Sequence, residues 1–214
     1  ETGENLIWDS GDVPSDRSVL VPYEGPELES RRDYYWKVRV ATNHGDTLWS
    51  EPSRWSMALL DDSDWQARWI GYDSCLNRTD TLGVFSRLAA RYLRKEFDAS
   101  NSGTKPERAV VYMSGLGCGD LYLNGRLVDE TRVLDPAQTN YEQYAFYSTF
   151  DVTDLLEKGD NCIGVMLGDG WYNQDKVWSA GMSYGKPMLL LQMEITYKDG
   201  SKRIVATDST WTWA

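Results

Sequence analysis

The sequence predicts an all-β chain, and three observations carry that prediction. Apolar and polar residues alternate with a period of two through most apolar segments, helix signals are nearly absent, and turn residues recur at short, regular intervals. The length of 214 residues is enough for one large domain or two small ones with a real hydrophobic core.

The first group of strands is short. Along residues 34–43 the character of the side chains alternates from one residue to the next, as in a half-buried strand. Residues 48–57 follow the turn at 44–46 and are predicted as its partner strand. Residues 19–22 are also strand-like. This group spans about 60 residues, whereas a complete seven-stranded sandwich needs about 100. We therefore expect a partial sandwich without its opening strands, with an exposed sheet edge or a dimer contact that covers it.

The second group of strands is longer and contains clear turn signals. Its predicted strands cover residues 92–99, 108–116, 119–129, 144–152, 161–167, 188–197 and 202–208. Asn124-Gly125 and Asp199-Gly200 each supply the positive φ angles that a tight hairpin requires. One short helix is predicted over residues 153–159, capped by Thr153 or Asp151 and ended by Gly159.

A change of composition separates the two groups. Residues 59–71 are acidic at first and then contain two tryptophans four positions apart. The predicted organisation is a first unit over 1–60, a linker over 61–71 and a second unit over 72–214. The sequence breaks off within a strand-like tail, so we expect a segment of a longer protein.

Charge excludes some classes of partner. The formal net charge is −11 and the isoelectric point is near 4.6, whereas nucleic acids and anionic membranes are bound by basic surfaces. No run of apolar residues approaches the length of a spanning helix, and the first residues do not resemble a signal peptide, although this leaves the compartment open.

The aromatic residues leave two interpretations open. The chain has 10 Trp and 13 Tyr but only 4 Phe, a preference for rings with a polar edge. Such rings suit sugar faces, whose C–H groups pack on a π face, and they also occur in sandwich cores.

Catalytic constellations are missing from the sequence. There is no G-x-S-x-G, Walker or H-E-x-x-H motif, and His44 is the single histidine. The glycine-rich residues 115–120 precede a strand, so they provide no helix N-terminus for a phosphate. Because no pair of carboxylates stands out, we assign no catalytic residue.

Oxygen-bearing loop residues suggest a possible cofactor. Asp129, Asp135 and Asn140 could together form a calcium site, although their spacing fits no EF-hand loop. The sequence predicts no other metal or cofactor.

Long motifs in both groups resemble one enzyme family. "ARYLRKEFDA", "RAVVYMSGLGCGDLYLNGRLVDE" and "VLDPAQTNYEQYAFYSTFDVTDLLEKGDNCIGVMLGDGWYN" resemble the N-terminal jelly-roll domain of bacterial α-L-rhamnosidases. The upstream "VPYEGPELESRRDYYWKVRV" and "WSEPSRWSMALLDDSDWQARWIG" resemble the fibronectin type III-like module that precedes it. The implied fold is a partial fibronectin type III-like sandwich followed by a galactose-binding-like jelly-roll β-sandwich.

The resemblance implies a large glycoside hydrolase that removes terminal L-rhamnose with inversion. The family's catalytic carboxylates lie in a later (α/α)₆ barrel, so this chain would be an accessory region whose partners are that barrel and rhamnose-containing glycans. Related enzymes carry a jelly-roll module that binds rhamnose with calcium. The candidate sugar contacts carried over are Asp135, Thr139, Asn140, Tyr141, Trp171, Tyr172 and Asn173, with Asp129 as a weaker candidate.

The sequence departs from the family's pattern at two places near the candidate sugar contacts, and one of the candidate loops also has a purely structural interpretation. Residues 117–120 read Gly-Cys-Gly-Asp where the family often has aromatic residues, and residues 128–130 read Val-Asp-Glu where it usually has Val-Gly-Asp. The "GDGWYN" segment can also be a signature of the fold, in which Trp171 packs at the sandwich end or on another domain.

Two other functions remain open at this point. Sugar-binding domains of β-galactosidase and β-glucuronidase type enzymes share the "YLNG…FDVTDLL" pattern, but they usually lack "GLG" before it and "GDGWYN" after it. A non-catalytic adhesin or carbohydrate-binding module is the third interpretation, and it predicts an intact first sandwich.

Overall fold

The computed structural model describes the chain as two compact all-β units. The described residues are 6–17, 19–45, 49–71, 90–101, 106–174 and 184–214, and the units divide at residues 64 and 65. Within these ranges the regular elements are antiparallel strands and single 3₁₀ turns. The all-β prediction is confirmed.

The first unit contains one two-stranded sheet. Strand β1 (Asp33–Trp36) pairs with β2 (Ser53–Ser56), and the buried ring of Tyr34 stacks on Trp55 with 5.6 Å between ring centroids. Isolated bridges continue the predicted hairpin towards its turn. Residues 19–22 form no strand, because Leu20 has a positive φ of 55° that breaks an extended path.

A carboxylate fixes the end of the first unit. A 3₁₀ turn over Asp62–Asp64 places the Asp64 side chain 2.5 Å from Arg31 Nη1, and the Ser30 hydroxyl donates to it at 2.5 Å. The backbone N–H groups of Leu60 and Asp61 also donate to it. Donors from two segments of the unit therefore converge on Asp64.

The second unit is a sandwich of two antiparallel sheets. The four-stranded sheet has the order β10-β9-β4-β7, and the five-stranded sheet has the order β11-β3-β8-β5-β6. The strands are β3 (Arg91–Asp98), β4 (Pro106–Gly115), β5 (Cys118–Leu123), β6 (Arg126–Leu127), β7 (Ser148–Asp151), β8 (Asp160–Gly168), β9 (Leu189–Tyr197), β10 (Lys202–Ala206) and β11 (Thr212–Trp213).

The core lies between these sheets and follows the period-two pattern of the sequence. Strand β8 alternates buried and partly exposed residues along its length, as a strand with one face towards a core does. The fully buried side chains of β8 and β9 include Ile163, Leu167, Leu191 and Ile195. Burial of such side chains supplies the main driving force for folding of this unit.

Strand β4 is buried on both faces because aromatic rings cover its outer side. The ring of Tyr112 points away from the core and packs against Trp65 and Tyr147, with centroid distances of 6.3 and 6.4 Å. Trp65 and Tyr147 also contact each other edge to face at 5.3 Å. The second unit therefore has a small outer aromatic layer beside its main core.

Residues 65–70 lie along the four-stranded sheet. The buried Gln192 side chain accepts from the backbone of Gln66 at 2.6 Å, Thr207 exchanges hydrogen bonds with the backbone of Arg68, and Ile70 bridges β9. The segment predicted as a linker over 61–71 is thus attached to the second unit from its fifth residue onward. Residues 72–89 of the predicted second unit lie outside the described residues.

The two predicted hairpins form with different turns. Asn124 and Gly125 have φ of 52° and 79°, and they join the paired residues of β5 and β6 as predicted. Of the other pair, only Gly200 has a positive φ, of 81°. The Asp199 carboxylate instead accepts from the N–H of Ser201 at 2.9 Å, which gives a longer turn between β9 and β10.

The predicted helix over 153–159 is only a single 3₁₀ turn, Thr153–Leu155. The buried side chain of Asn161 accepts from the N–H of Glu157 at 2.8 Å and donates to the carbonyl groups of Glu157 and Gly159. Because the N–H of Glu157 donates to this side chain, it does not donate to the carbonyl of Thr153 as an α-helix would require.

Candidate functional site

Two glycine-containing loops cross at one end of the second unit. Gly117 has φ of 125°, and a Cβ on it would overlap the carbonyl oxygen of Gly168. Gly170 has φ of 48°, and a Cβ there would lie 2.6 Å from the backbone of Gly117. Glycine is required at both positions, since any side chain would push the two backbones apart.

A buried arginine anchors the "GDGWYN" loop at this crossing. Arg91, with 3% of its side chain exposed, places Nη1 2.9 Å from Asp169 Oδ1. The same oxygen accepts from the side-chain amide of Asn173 at 3.1 Å, and the Asp169 carbonyl accepts from the Asn173 backbone. Asn173, a predicted sugar contact, therefore helps to close its own loop.

The two neighbouring rings of this loop have different surroundings. Tyr172 is 8% exposed, whereas Trp171 is 49% exposed. Tyr172 packs with Tyr141 at 5.1 Å and with Tyr184 at 5.9 Å, and Tyr141 contacts Tyr184 at 5.2 Å. Tyr172 is a packing residue in this tyrosine cluster (Tyr141, Tyr172 and Tyr184), while Trp171 presents its ring to solvent.

The hydroxyl group of Tyr141 is buried in the cluster without a good partner. It makes no hydrogen bond of normal geometry with any described residue, although the backbone of Thr139 lies near enough to affect its ionisation. Burial raises the pKa of this tyrosine.

Thr139 and Asn140 form the turn that presents Tyr141. The Thr139 hydroxyl donates to the carbonyl of Tyr144 at 2.7 Å, and the Asn140 side chain accepts from the N–H of Glu142 at 3.2 Å. Both side chains thus use hydrogen-bonding capacity within the loop, as Asx and Ser/Thr turns do.

Asp129 and Asp135 lie in the preceding loop and share one partner. Both carboxylates contact the guanidinium of Arg132, at 3.2 and 3.4 Å. Within the described ranges, no group of three or more His, Cys, Asp or Glu side chains is placed to hold a metal ion. The calcium site predicted at Asp129, Asp135 and Asn140 therefore remains a prediction without a described ligand cluster.

Several described carboxyl groups have a shifted pKa. Those whose pKa departs from the ordinary value all have it lowered, first by a hydrogen bond from a nearby Ser or Thr hydroxyl: Asp64, Asp98, Asp129, Asp199 and Asp208. A glycosidase acid needs the opposite, a carboxyl group held protonated by a raised pKa.

The structure brings together part of the predicted site and adds three residues. Tyr141 and Tyr172 come from distant loops and their rings are in contact. Arg91, Arg132 and Tyr184 were not predicted. Only Arg132 had a signal in the sequence, because it lies three positions from each of two acidic residues.

Comparison with known proteins identifies the family. Residues 104–214 match the model of the α-L-rhamnosidase N-terminal domain, and residues 1–61 match that of the Rha78A-like N-terminal immunoglobulin domain. The chain therefore belongs to the family of α-L-rhamnosidase N-terminal domains. The resemblance seen in the sequence is confirmed, and the match favours it over the β-galactosidase type.

Relatives and solved structures agree with this assignment. An α-L-rhamnosidase of Formosa agariphila is 35% identical over 96% of this chain, which spans 23% of that protein. The α-L-rhamnosidase structure from Dictyoglumus thermophilum has a TM-score of 0.77 at 32% identity and covers 97% of this chain and 23% of its own. That from Aspergillus terreus has a TM-score of 0.73 at 31% identity, with 94% and 23% covered. The chain thus spans about a quarter of the length of these relatives.

Proposed function

We propose that this chain is the N-terminal accessory region of an inverting α-L-rhamnosidase, a glycoside hydrolase that releases terminal L-rhamnose from glycans. The observation that carries the proposal is the extent of the match. Nearly the whole chain aligns with proteins named α-L-rhamnosidase, and it covers about a quarter of the length of each. The catalytic carboxylates would lie in the (α/α)₆ barrel that the resemblance implies, outside these residues.

The carboxyl groups of this chain support an accessory role. Inverting glycosidases use one carboxylic acid and one carboxylate on opposite sides of a sugar, and the acid needs a raised pKa. None of the pKa shifts resolved among the described carboxyl groups is in that direction. The chain would support the catalytic region and contact the glycan.

Expression of the complete reading frame tests this proposal. The complete product should hydrolyse an aryl α-L-rhamnoside, and the same product without residues 1–214 should lose activity or solubility. A complete product inactive on rhamnosides but active on β-galactosides or β-glucuronides would contradict the assignment.

A second candidate function is direct contact with sugar at Trp171. The ring is half exposed beside the tyrosine cluster, where the Tyr141 hydroxyl has no good partner. An exposed indole can stack on the C–H face of a sugar.

Fluorescence separates this role from packing on another domain. L-rhamnose, with and without calcium, should change tryptophan emission in the wild-type chain and in Trp213→Ala, a matched exposed tryptophan on β11. Trp171→Ala should remove the response. If rhamnose changes the emission of neither protein, Trp171 is a packing residue and the sugar role is wrong.

A further inference from the structure

Arg132 lies between two carboxylates in the loop that leads to the tyrosine cluster. Its Nε is 3.2 Å from Asp129 Oδ2, and its Nη1 is 3.4 Å from Asp135 Oδ2. Its Nη2 donates to the carbonyl of Thr149 at 3.3 Å, and its Cζ lies 4.7 Å from the ring centroid of Phe150. Each nitrogen of the guanidinium therefore has an acceptor, and one face packs on an aromatic ring of strand β7.

The remaining carboxylate oxygens are also hydrogen-bonded. Asp129 Oδ1 accepts from the backbone and hydroxyl of Thr131 at 2.8 and 2.6 Å, and Asp135 Oδ1 accepts from the Ser148 hydroxyl at 2.7 Å. The hydrogen bonds from Thr131, and then the charge of Arg132, lower the pKa of Asp129. All four oxygens of the pair thus accept from groups of the protein.

This arrangement does not fit a calcium ion. Ca²⁺ takes six to eight oxygen ligands with free lone pairs at about 2.3–2.6 Å. Here a permanent cation already lies between the carboxylates, and arginine does not lose its proton in proteins. A second cation at the same carboxylates would be repelled by the guanidinium.

We propose that Arg132 acts in place of a divalent cation in this loop. Its guanidinium joins Asp129 to Asp135 and ties both to strand β7, so this carboxylate pair does not bind calcium. The backbone carbonyl of Asp135 in turn accepts from the N–H of Gly119 at 2.8 Å, two residues after the glycine of the loop crossing. Arg132 is thus a positioning residue for the candidate site.

Terbium luminescence with calcium competition tests the proposal on the purified chain. In the wild-type chain, Asp129→Asn with Asp135→Asn should leave the binding of Tb³⁺ unchanged, because the pair contributes no site. Arg132→Gln leaves two carboxylates facing each other without a cation. It should gain a calcium-displaceable Tb³⁺ site, about tenfold or more tighter than wild-type binding, and the two asparagine substitutions should remove that gain.

The matched control is Arg126→Gln, which removes an exposed arginine from the adjacent hairpin. It should bind Tb³⁺ as the wild type does. Two results would overturn the proposal: wild-type calcium binding that the asparagine substitutions abolish, or an Arg132→Gln variant that binds no more Tb³⁺ than Arg126→Gln. If Arg132→Gln does not fold, Tb³⁺ binding by the wild type and by the asparagine variant is compared instead, and a loss of calcium-displaceable binding in the variant would overturn the proposal.

Discussion

Two adjacent rings, Trp171 and Tyr172, show how burial separates residues that look alike in a sequence. We expect Tyr172→Ala to cost about 3–5 kcal/mol, the usual loss for a buried aromatic residue truncated to alanine. Trp171→Ala should cost less than about 1 kcal/mol, because half of its surface is exposed. Urea denaturation of both variants measures these changes, and equal losses would show that Trp171 is also a packing residue.

At Asp64, a pKa of about 2 predicts a pH-dependent contribution to stability. The pKa falls from 3.8 to about 2, first through the Ser30 hydroxyl and then through Arg31 and a backbone N–H, against the opposing effect of burial. This shift corresponds to about 2 kcal/mol. Because the folded-state pKa is lowered, the contribution is present above pH 3.8 and is lost as the pH falls towards 2.

Hydrogen exchange of the Leu60 and Asp61 amides, which donate to Asp64, measures this contribution. At pH 6, Asp64→Asn should speed their exchange markedly, while Asp62→Asn, which alters an exposed neighbour, should not. The difference between Asp64→Asn and the wild type should shrink as the pH approaches 2. A difference that stays constant with pH would assign the effect to packing rather than charge.

At the scale of elements, alanine substitutions should distinguish a glycine at the loop crossing from a glycine in an open turn. Gly117 and Gly125 both have positive φ, but only Gly117 faces another backbone segment. Gly125→Ala should cost about 1–2 kcal/mol for the left-handed conformation. Gly117→Ala carries a similar cost and the overlap with Gly168, so it should lose at least about 2 kcal/mol more. Equal melting temperatures would mean that the loops can separate freely.

The strands were predictable because their signals are local. Alternating burial in β8 and the Asn124-Gly125 turn follow from neighbouring residues alone. The helix predicted over 153–159 is wrong, and Asn161, beyond its end, accepts from the Glu157 N–H that a helix would need. A hydrogen bond from a side chain outside a segment to the backbone of that segment cannot be predicted from the residue pattern of the segment alone.

The candidate site was predictable only in part, for a similar reason. Family motifs placed Tyr141 and Tyr172 in loops that the fold brings together. Arg91 lies 78 positions from its partner Asp169, so no spacing in the sequence suggests that pair. Arg132 was within reach of Asp129 and Asp135, but its role depends on the distance between two carboxylates in space.

At the scale of the whole molecule, the chain consists of two β units, and hydrogen bonds within each unit hold the residues on its side of the division. Residues 65–70 belong to the second unit through Gln192 and Thr207, and Asp64 fixes the end of the first. The described part of the chain contains no candidate membrane-spanning helix. Both units match family models of α-L-rhamnosidase N-terminal regions.

The most direct measurement is hydrolysis of an aryl α-L-rhamnoside by the purified 214-residue chain, with the product of its complete reading frame as the positive control. An accessory region should release nothing above the buffer rate, while the complete product turns over. Turnover by the chain itself, abolished by substitution of one carboxylate, would contradict the account.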